Sequence, residues 1–162
     1  MVMPGLGMWR KPISLARPLL LVTLLQFTAC ASSPQASPER DSEAKEFRTH
    51  PATAALYVYR PDVSFDEESV LYIGQRLIGA TLPGSYFRVD VRPGKHLLHG
   101  YAHDAGRLEI EVRPGQIYFV SIRVTGGYSH FALEDPAAGR RGILACCALL
   151  ENWSPGQRPL LR

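Results

Sequence analysis

Three histidines close together in the sequence are the side chains best suited to binding a metal. Imidazole is the commonest transition-metal ligand, and His96, His99 and His103 could complete a zinc site with water. On an extended strand, however, residues separated by an odd number point to opposite faces. Only His99 and His103 would then share a face, and Asp104 lies on the other one. The spacing favours surface histidines on a hairpin, and we expect no bound metal or cofactor.

Two adjacent cysteines, Cys146 and Cys147, lie in an apolar run. Thiols of secreted proteins tend to pair. Neighbouring Cα atoms are only about 3.8 Å apart, however, whereas disulfides usually join Cα atoms about 4.4–6.8 Å apart. We therefore predict buried, reduced cysteines that act as small apolar side chains, with a strained vicinal disulfide as the alternative.

Other candidate catalytic groups lack the pattern that their chemistry needs. Ser129 and His130 are neighbours, but no Gly-x-Ser-x-Gly elbow is present. Gly126-Gly127 lacks the lysine of a phosphate-binding loop. The acidic residues 66–68 are expected in a solvated loop with no apolar pocket to raise a carboxyl pKa. The sequence therefore predicts no catalytic residue.

The charge of the chain is concentrated at its N-terminus. Lys and Arg number 18 against 15 Asp and Glu, but Arg10, Lys11 and Arg17 precede residue 30, where no acidic residue occurs. The remainder has 18 − 3 = 15 basic and 15 acidic residues. A neutral remainder lacks the basic surface of a nucleic-acid-binding protein, so we expect no nucleic-acid partner.

Residues 1–29 have the order of a secretory signal peptide. The basic residues precede an apolar stretch over 19–27, and small residues follow at Thr28 and Ala29. The apolar stretch is too short for a transmembrane helix, which needs about 20 residues.

Phe27-Thr28-Ala29-Cys30 resembles the bacterial lipobox. The resemblance implies cleavage between Ala29 and Cys30 and a diacylglyceryl group on the Cys30 thiol. Neither Ala31 nor Ser32 is the aspartate that commonly retains lipoproteins at the inner membrane, so the resemblance implies the outer membrane. The alternative is ordinary secretion with a free Cys30.

Residues 30–51 are small, polar and proline-bearing, which predicts a flexible tether. The 46% of hydrophobic residues in the chain suffices for a packed core beyond it. A turn of helix could form over 43–50 and would end at Pro51.

Residues 52–152 have the short strands and regular turns of a mostly-β domain, and we predict an antiparallel β-sandwich. Ser85–Val91 and Arg107–Val112 alternate between apolar and polar residues, which is typical of strands with one wet face. In the first, Tyr86, Arg88 and Asp90 fall on that wet face. Ala54–Arg60 and Gln116–Val124 are apolar on both faces and are expected to be central.

Glycines mark the predicted turns. Gly74 could take the positive φ that a type II′ hairpin requires. Pro93-Gly94 and Pro114-Gly115 repeat one motif and predict equivalent type II hairpin turns at one end of the sheet.

The C-terminal part is ambiguous. Asp135-Pro136 is typical of a helix start. The apolar run Ile143–Leu150 is compatible with helix or strand, and Gly139 and Gly142 disfavour a helix. We favour one short helix packed on the sheet, followed by a loose tail over 153–162.

Tyrosines and arginines are common on the predicted strands. Together they are favoured at binding surfaces, but they are also ordinary cross-strand partners, which we favour here. They are Tyr57, Tyr59, Tyr72, Tyr86, Tyr101 and Tyr118, with Arg60, Arg76 and Arg88.

Four segments together resemble a bacterial lipoprotein family built on an uncharacterised PEGA-like β-sandwich domain. They are residues 55–61, 74–79, 84–87 and 91–96, and the similarity covers about residues 52–150. The family usually has an acidic residue where Ile73 precedes Gly74. Its activity is uncharacterised, so no catalytic residue is implied.

From these features we expect an outer-membrane lipoprotein whose β-sandwich faces the periplasm and is a non-enzymatic binding or structural module of the cell envelope. Its expected partners are the lipid bilayer, through acylated Cys30, and an envelope protein or polysaccharide. The alternative is a small periplasmic hydrolase or metal-binding protein that uses His99, His103 or the Cys146/Cys147 pair.

Overall fold

A computed structural model describes residues 33–61, 69–100 and 106–152 of this chain. The described residues form two β-sheets packed face to face, with two helices on the outer face of the larger sheet. The predicted mostly-β sandwich with a short C-terminal helix is confirmed.

The helices are α1 (Pro38–Ala44) and α2 (Pro136–Cys146). The strands are β1 (Ala54–Arg60), β2 (Ser69–Ile73), β3 (Arg76–Thr81), β4 (Ser85–Val91), β5 (Gly94–His99), β6 (Arg107–Val112), β7 (Ile117–Thr125), β8 (Tyr128–Glu134) and β9 (Ala148–Leu149). The strand order is β8-β7-β1-β4-β9 in one sheet and β3-β2-β5-β6 in the other. The predicted bounds of β1, β4 and β6 agree with the structure, and those of β7 differ by one residue at each end.

The five-stranded sheet is mixed rather than purely antiparallel. β1 pairs in parallel with β7, and β4 pairs in parallel with β9, while the other pairings are antiparallel. Between β1 and β7 the chain passes through the smaller sheet and returns in the same direction. Alternation within a strand does not report the direction of its neighbours, so the sequence did not show this.

The main core lies between the sheets and takes alternate residues from each strand. Leu56, Val58, Phe87 and Val120 are almost fully buried there. In β6, Ile110 and Val112 face the core while Glu109 and Glu111 face water, as the alternation predicts.

A second core lies between the five-stranded sheet and the helices. It contains Tyr57, Tyr86, Phe119 and Ile143, each at most 1% exposed. The prediction that Tyr86 faces water is wrong, because α1 and α2 cover the face that alternation assigns to solvent.

The two Pro-Gly turns lie at the same end of the sandwich, where β1 begins. Gly115 has φ 70°, which suits a type II turn, whereas Gly94 has φ 130° and is already the first residue of β5. Both turns carry the chain from one sheet to the other, so the prediction of hairpin turns is wrong. Gly74, with φ 62°, closes the two-residue β2–β3 hairpin, as predicted.

The apolar run 143–150 contains both structures that its sequence allows. Asp135 caps α2 by accepting from the amides of Ala137 and Ala138, at 2.9 and 3.2 Å, and Pro136 is its first residue. The helix ends at Cys146, and β9 follows almost at once.

Residues 33–51, predicted as part of a flexible tether, are packed on the domain. Ser33, Ala36, Ala44 and Phe47 are all less than 9% exposed. The few apolar residues of this polar segment lie on one side and cover the outer face of the five-stranded sheet.

Several predictions lie outside the described residues: the signal peptide 1–29, Cys30 and its lipid, the acidic residues 66–68, His103, Asp104, Tyr101 and the tail 153–162. Within the described ranges, neither helix has the length and apolar character needed to cross a bilayer.

Candidate functional site

The best-defined candidate site is the place where residues 33–47 pack on the domain. These residues are called the N-terminal segment, and the surface that they cover, together with their contacts on it, is called the seat. The first part of the N-terminal segment continues the five-stranded sheet beyond β9. The Ala36 amide donates to the Leu149 carbonyl at 2.8 Å, and the Glu151 amide donates to the Pro34 carbonyl at 2.8 Å. Gln35 and Leu150 form an antiparallel bridge. The segment therefore covers the edge that β9 would otherwise expose.

α1 follows directly and lies on the aromatic face of the sheet. Ser37 caps it by accepting from the Arg40 amide, and Pro38 is its first residue. Phe47, just after the helix, packs on Tyr57 and Phe119 with ring centroids 5.2 and 5.6 Å apart. The cap signature Ser37-Pro38 was the sequence signal that could have revealed this helix.

Asp41 is the polar centre of the seat. Its Oδ1 accepts from the Tyr86 hydroxyl and from the Leu149 amide, both at 2.9 Å, and its Oδ2 accepts from Lys45 Nζ at 2.7 Å. Desolvation raises the pKa of Asp41, but these three hydrogen bonds together outweigh it and leave the pKa below 3.8. The ionised carboxylate thus joins α1 to β4 and β9.

Tyr57 makes a second polar contact beneath α1. Its hydroxyl donates to the Ala44 carbonyl at 2.7 Å, and this carbonyl belongs to the last residue of the helix. Burial raises the pKa of Tyr57 to about 12, so the hydroxyl remains a donor throughout the physiological range. It fixes the end of α1 on the sheet.

The prediction that Cys146 and Cys147 are reduced is wrong: the two form a disulfide, with Cα atoms 3.7 Å apart. The chain changes from helical to extended backbone at Cys147, and the two sulfurs meet at this change. Cys147 is 5% exposed and its Sγ lies 3.9 Å from the Arg60 carbonyl oxygen, whereas Cys146 is half-buried.

His96 and His99, the candidate ligands that lie within the described ranges, have backbone partners rather than a shared ligand. His99 Nδ1 lies 2.7 Å from the Gly100 carbonyl oxygen, and His99 Nε2 lies 2.8 Å from the Gly74 carbonyl oxygen. Its ring stacks on Tyr72 at 5.0 Å. His96 Nε2 lies 2.7 Å from the Arg92 carbonyl. Among residues 33–61, 69–100 and 106–152, no three His, Cys, Asp or Glu side chains are grouped to hold a metal ion.

Ser129 and His130 do not form a catalytic pair. Ser129 is fully buried and its hydroxyl contacts that of Ser69, whereas His130 is exposed. Adjacent residues of β8 point to opposite sides of the sheet.

The tyrosines behave mainly as sheet and core partners. Tyr59 and Tyr86 are cross-strand neighbours, and the Tyr57 and Tyr86 rings stack at 6.0 Å. The Tyr118 hydroxyl accepts from the Arg113 amide at 3.0 Å. Arg60 is fully buried and donates to the Thr81 carbonyl at 3.3 Å. These contacts support the cross-strand interpretation over an exposed Tyr/Arg surface.

No protein-family model matches this chain. The chain is 31% identical over 110 residues to an uncharacterised protein of Haemophilus influenzae. The match covers 65% of this chain and 64% of that protein.

Taken together, the polar side chains of the seat hold one part of the chain to another. Asp41, Tyr57 and Tyr86 fix the N-terminal segment, and the disulfide lies at the start of the strand that pairs with it. The seat was missed in the sequence because its residues are distant along the chain.

Proposed function

We propose that the chain is an outer-membrane lipoprotein, acylated on Cys30, whose β-sandwich is a non-enzymatic binding or structural module facing the periplasm. The lipobox-like Phe27-Thr28-Ala29-Cys30 after a signal-peptide pattern carries this proposal. The resemblance to the PEGA-like lipoprotein family belongs to the same proposal.

The seat of the N-terminal segment supports a short connection between lipid and domain. Ser33 is 3% exposed, and only Ala31 and Ser32 separate it from Cys30. Three residues span at most about 10 Å when fully extended. A lipid on Cys30 would therefore hold the sandwich close to the bilayer surface.

The disulfide also supports a location outside the cytoplasm. Disulfides form and persist in oxidising compartments such as the bacterial periplasm, and cytosolic thiols are kept reduced. The Cys146–Cys147 bond is compatible with a periplasmic domain.

The partner of the module is proposed to be an envelope protein or polysaccharide. The hydrolase or metal-binding alternative has less support, because the disulfide occupies both cysteine sulfurs and carbonyl oxygens face both ring nitrogens of His99. No pair of nucleophile and base is brought together among the candidates within the described ranges.

Metabolic labelling with a clickable fatty acid, followed by separation of the two membranes, tests the proposal. Wild-type chain should be labelled and found in the outer-membrane fraction. Cys30→Ser should be unlabelled and retain its signal peptide or be cleaved elsewhere, because the hydroxyl does not accept the diacylglyceryl group. The matched control Cys146→Ser/Cys147→Ser should be labelled like wild type.

Unlabelled wild-type protein in the soluble periplasm would contradict the anchor. Labelled protein retained in the inner membrane would contradict the outer-membrane part alone. Crosslinking in intact cells, followed by capture of the lipidated chain, would then identify the class of partner.

A further inference from the structure

The helix α2 ends where the sequence gives no reason for it to end. Residues 143–150 are Ile-Leu-Ala-Cys-Cys-Ala-Leu-Leu, with none of the Gly, Pro or Asn residues that commonly terminate helices before Asn152. Leu and Ala are strong helix formers. Yet Cys147 has φ −122° and ψ 143°, and the next residues form β9.

The bond between Cys146 and Cys147 provides the missing stop. Adjacent residues of an α-helix point about 100° apart around the axis and do not face each other. A disulfide needs Cβ atoms about 3.5–4.5 Å apart. The bonded pair is therefore incompatible with a continuous helix, and the disulfide holds the chain in its turn from α2 into β9.

We propose that the Cys146–Cys147 disulfide is a redox-active site, and that its reduction by a dithiol lets α2 extend into β9 and releases the N-terminal segment. The site would take a protein or small-molecule dithiol as its substrate class.

The exposure of the two residues gives the direction of attack. Cys146 is half-buried, whereas Cys147 is 5% exposed. A thiolate of the dithiol attacks Cys146 Sγ, the bond between the cysteines breaks, and Cys147 leaves as a thiolate that takes up a proton. The second thiolate of the dithiol then attacks the dithiol sulfur that is bonded to Cys146. Cys146 leaves as a thiolate and takes up a proton. Two electrons and two protons thus pass to the pair, and the dithiol becomes a disulfide.

Extension of α2 and the packing of the N-terminal segment require the same backbone amides, those of residues 148–150, to donate to different acceptors. The Ala148 amide donates to the Gly84 carbonyl at 3.0 Å, and the Leu150 amide donates to the Tyr86 carbonyl at 2.8 Å. The Leu149 carbonyl accepts from Ala36, and the Leu149 amide donates to Asp41. In an extended helix these amides would donate to carbonyls four residues earlier. The two arrangements therefore exclude each other.

For a chain anchored at Cys30, which rests on the function proposed above, the switch would change the tether. In the oxidised chain, Ser33, the first residue that the structure describes, is buried against the domain. After release the next fixed element would be β1, which begins at Ala54. The sandwich could then move away from the bilayer to reach a partner.

Hydrogen exchange on the full chain in detergent, with Cys30→Ala, tests the switch without the anchor. Dithiothreitol should expose two alkylatable thiols. The Ala36 amide should then exchange about tenfold faster or more, because it loses the Leu149 carbonyl, whereas the amides of residues 148–150 gain partners in the extended helix. Those of β6, in the other sheet, should be unchanged, and the helical circular-dichroism signal should rise.

Two variants serve as controls, one for the reductant and one for the extension of α2. Cys146→Ala/Cys147→Ala should show the fast exchange with or without dithiothreitol. Ala148→Gly lowers helix propensity next to the pair and should reduce the gain in helical signal after reduction.

Two outcomes would overturn the proposal. A pair that stays oxidised in excess dithiothreitol is not a redox-active site. A fully reduced pair with unchanged exchange at Ala36 is not a switch. Because Cys30 is replaced in this chain, neither outcome depends on lipidation, which fatty-acid labelling tests separately.

Discussion

The Tyr86 hydroxyl donates a hydrogen bond to Asp41 Oδ1 at 2.9 Å, across 45 positions of the sequence. Tyr86 lies on β4 beside Leu149 of β9, and the Leu149 amide donates to the same carboxylate oxygen. One carboxylate thus holds together a helix and two strands. The N-terminal segment is a structural part of the domain, and its loss would expose the aromatic face beneath it.

Asp41→Asn should lower the free energy of unfolding by about 1 kcal/mol, since hydrogen bonds to a charged group are replaced by weaker ones at a partly exposed site. The amide of Asn would also meet Lys45, which donates to Oδ2 in the wild type. Urea unfolding at neutral pH measures the change. Glu43→Gln, on the exposed side of the same helix, is the control and should be neutral.

The contribution of Asp41 should depend on pH with a defined sign. Its pKa in the folded chain lies below the ordinary 3.8, so the ionised form stabilises the fold. This stabilisation is complete above the ordinary pKa and is lost as the pH falls from there through the folded pKa. The difference between wild type and Asp41→Asn should be constant between about pH 5 and 7 and shrink below about pH 4. A difference that grows on acidification would contradict the assignment.

Tyr57→Phe should destabilise the chain by about 1 kcal/mol, because the Ala44 carbonyl loses one of its two donors and keeps only the Phe47 amide, while the ring remains. Thermal melting measures the loss. Tyr128→Phe, at a ring that is 50% exposed, provides the comparison and should leave the melting temperature unchanged. Equal effects at the two positions would show that the Tyr57 hydroxyl adds nothing to the seat.

How far the sequence predicts this structure differs between its two cores. Alternation in β4 and β6 identified the strands and the residues between the sheets, because each strand records its own faces. The second core depends on which segments of the chain cover the outer face of β1, and the sequence of a strand does not identify those segments. β1 being apolar on both faces did indicate a cover, but the polar composition of residues 33–51 concealed it. The disulfide was missed because the usual Cα spacing disfavours adjacent partners.

Gly115→Ala should cost about 1 kcal/mol, because a Cβ disfavours the positive φ of the β6–β7 turn. Space is not the cause, since the nearest atom to the added carbon would be the Pro51 carbonyl oxygen at 3.8 Å. Gly115→Asn should lose less, because Asn tolerates left-handed backbone better than Ala. Chemical denaturation of both variants should rank them in that order, and a more stable Ala variant would contradict the turn assignment.

Gly139→Ala should destabilise the domain even though Ala is the better helix former. In an exposed helix the exchange would stabilise by about 1 kcal/mol. Here the added Cβ would overlap the Cβ and Cγ atoms of Phe119, so α2 would have to move off the sheet. Overpacking of this kind costs about 1–3 kcal/mol.

A double-mutant cycle separates this clash from other effects of Gly139→Ala. Phe119→Gly creates a cavity in the second core, but it removes both the Cβ and the ring carbons that the new methyl group would meet. The free energy of unfolding lost by the double variant should therefore be smaller than the sum of the two single losses. Additive losses would mean that α2 does not approach the sheet through Gly139, and Gly139, which disfavours the helix in the sequence, would have no packing role there.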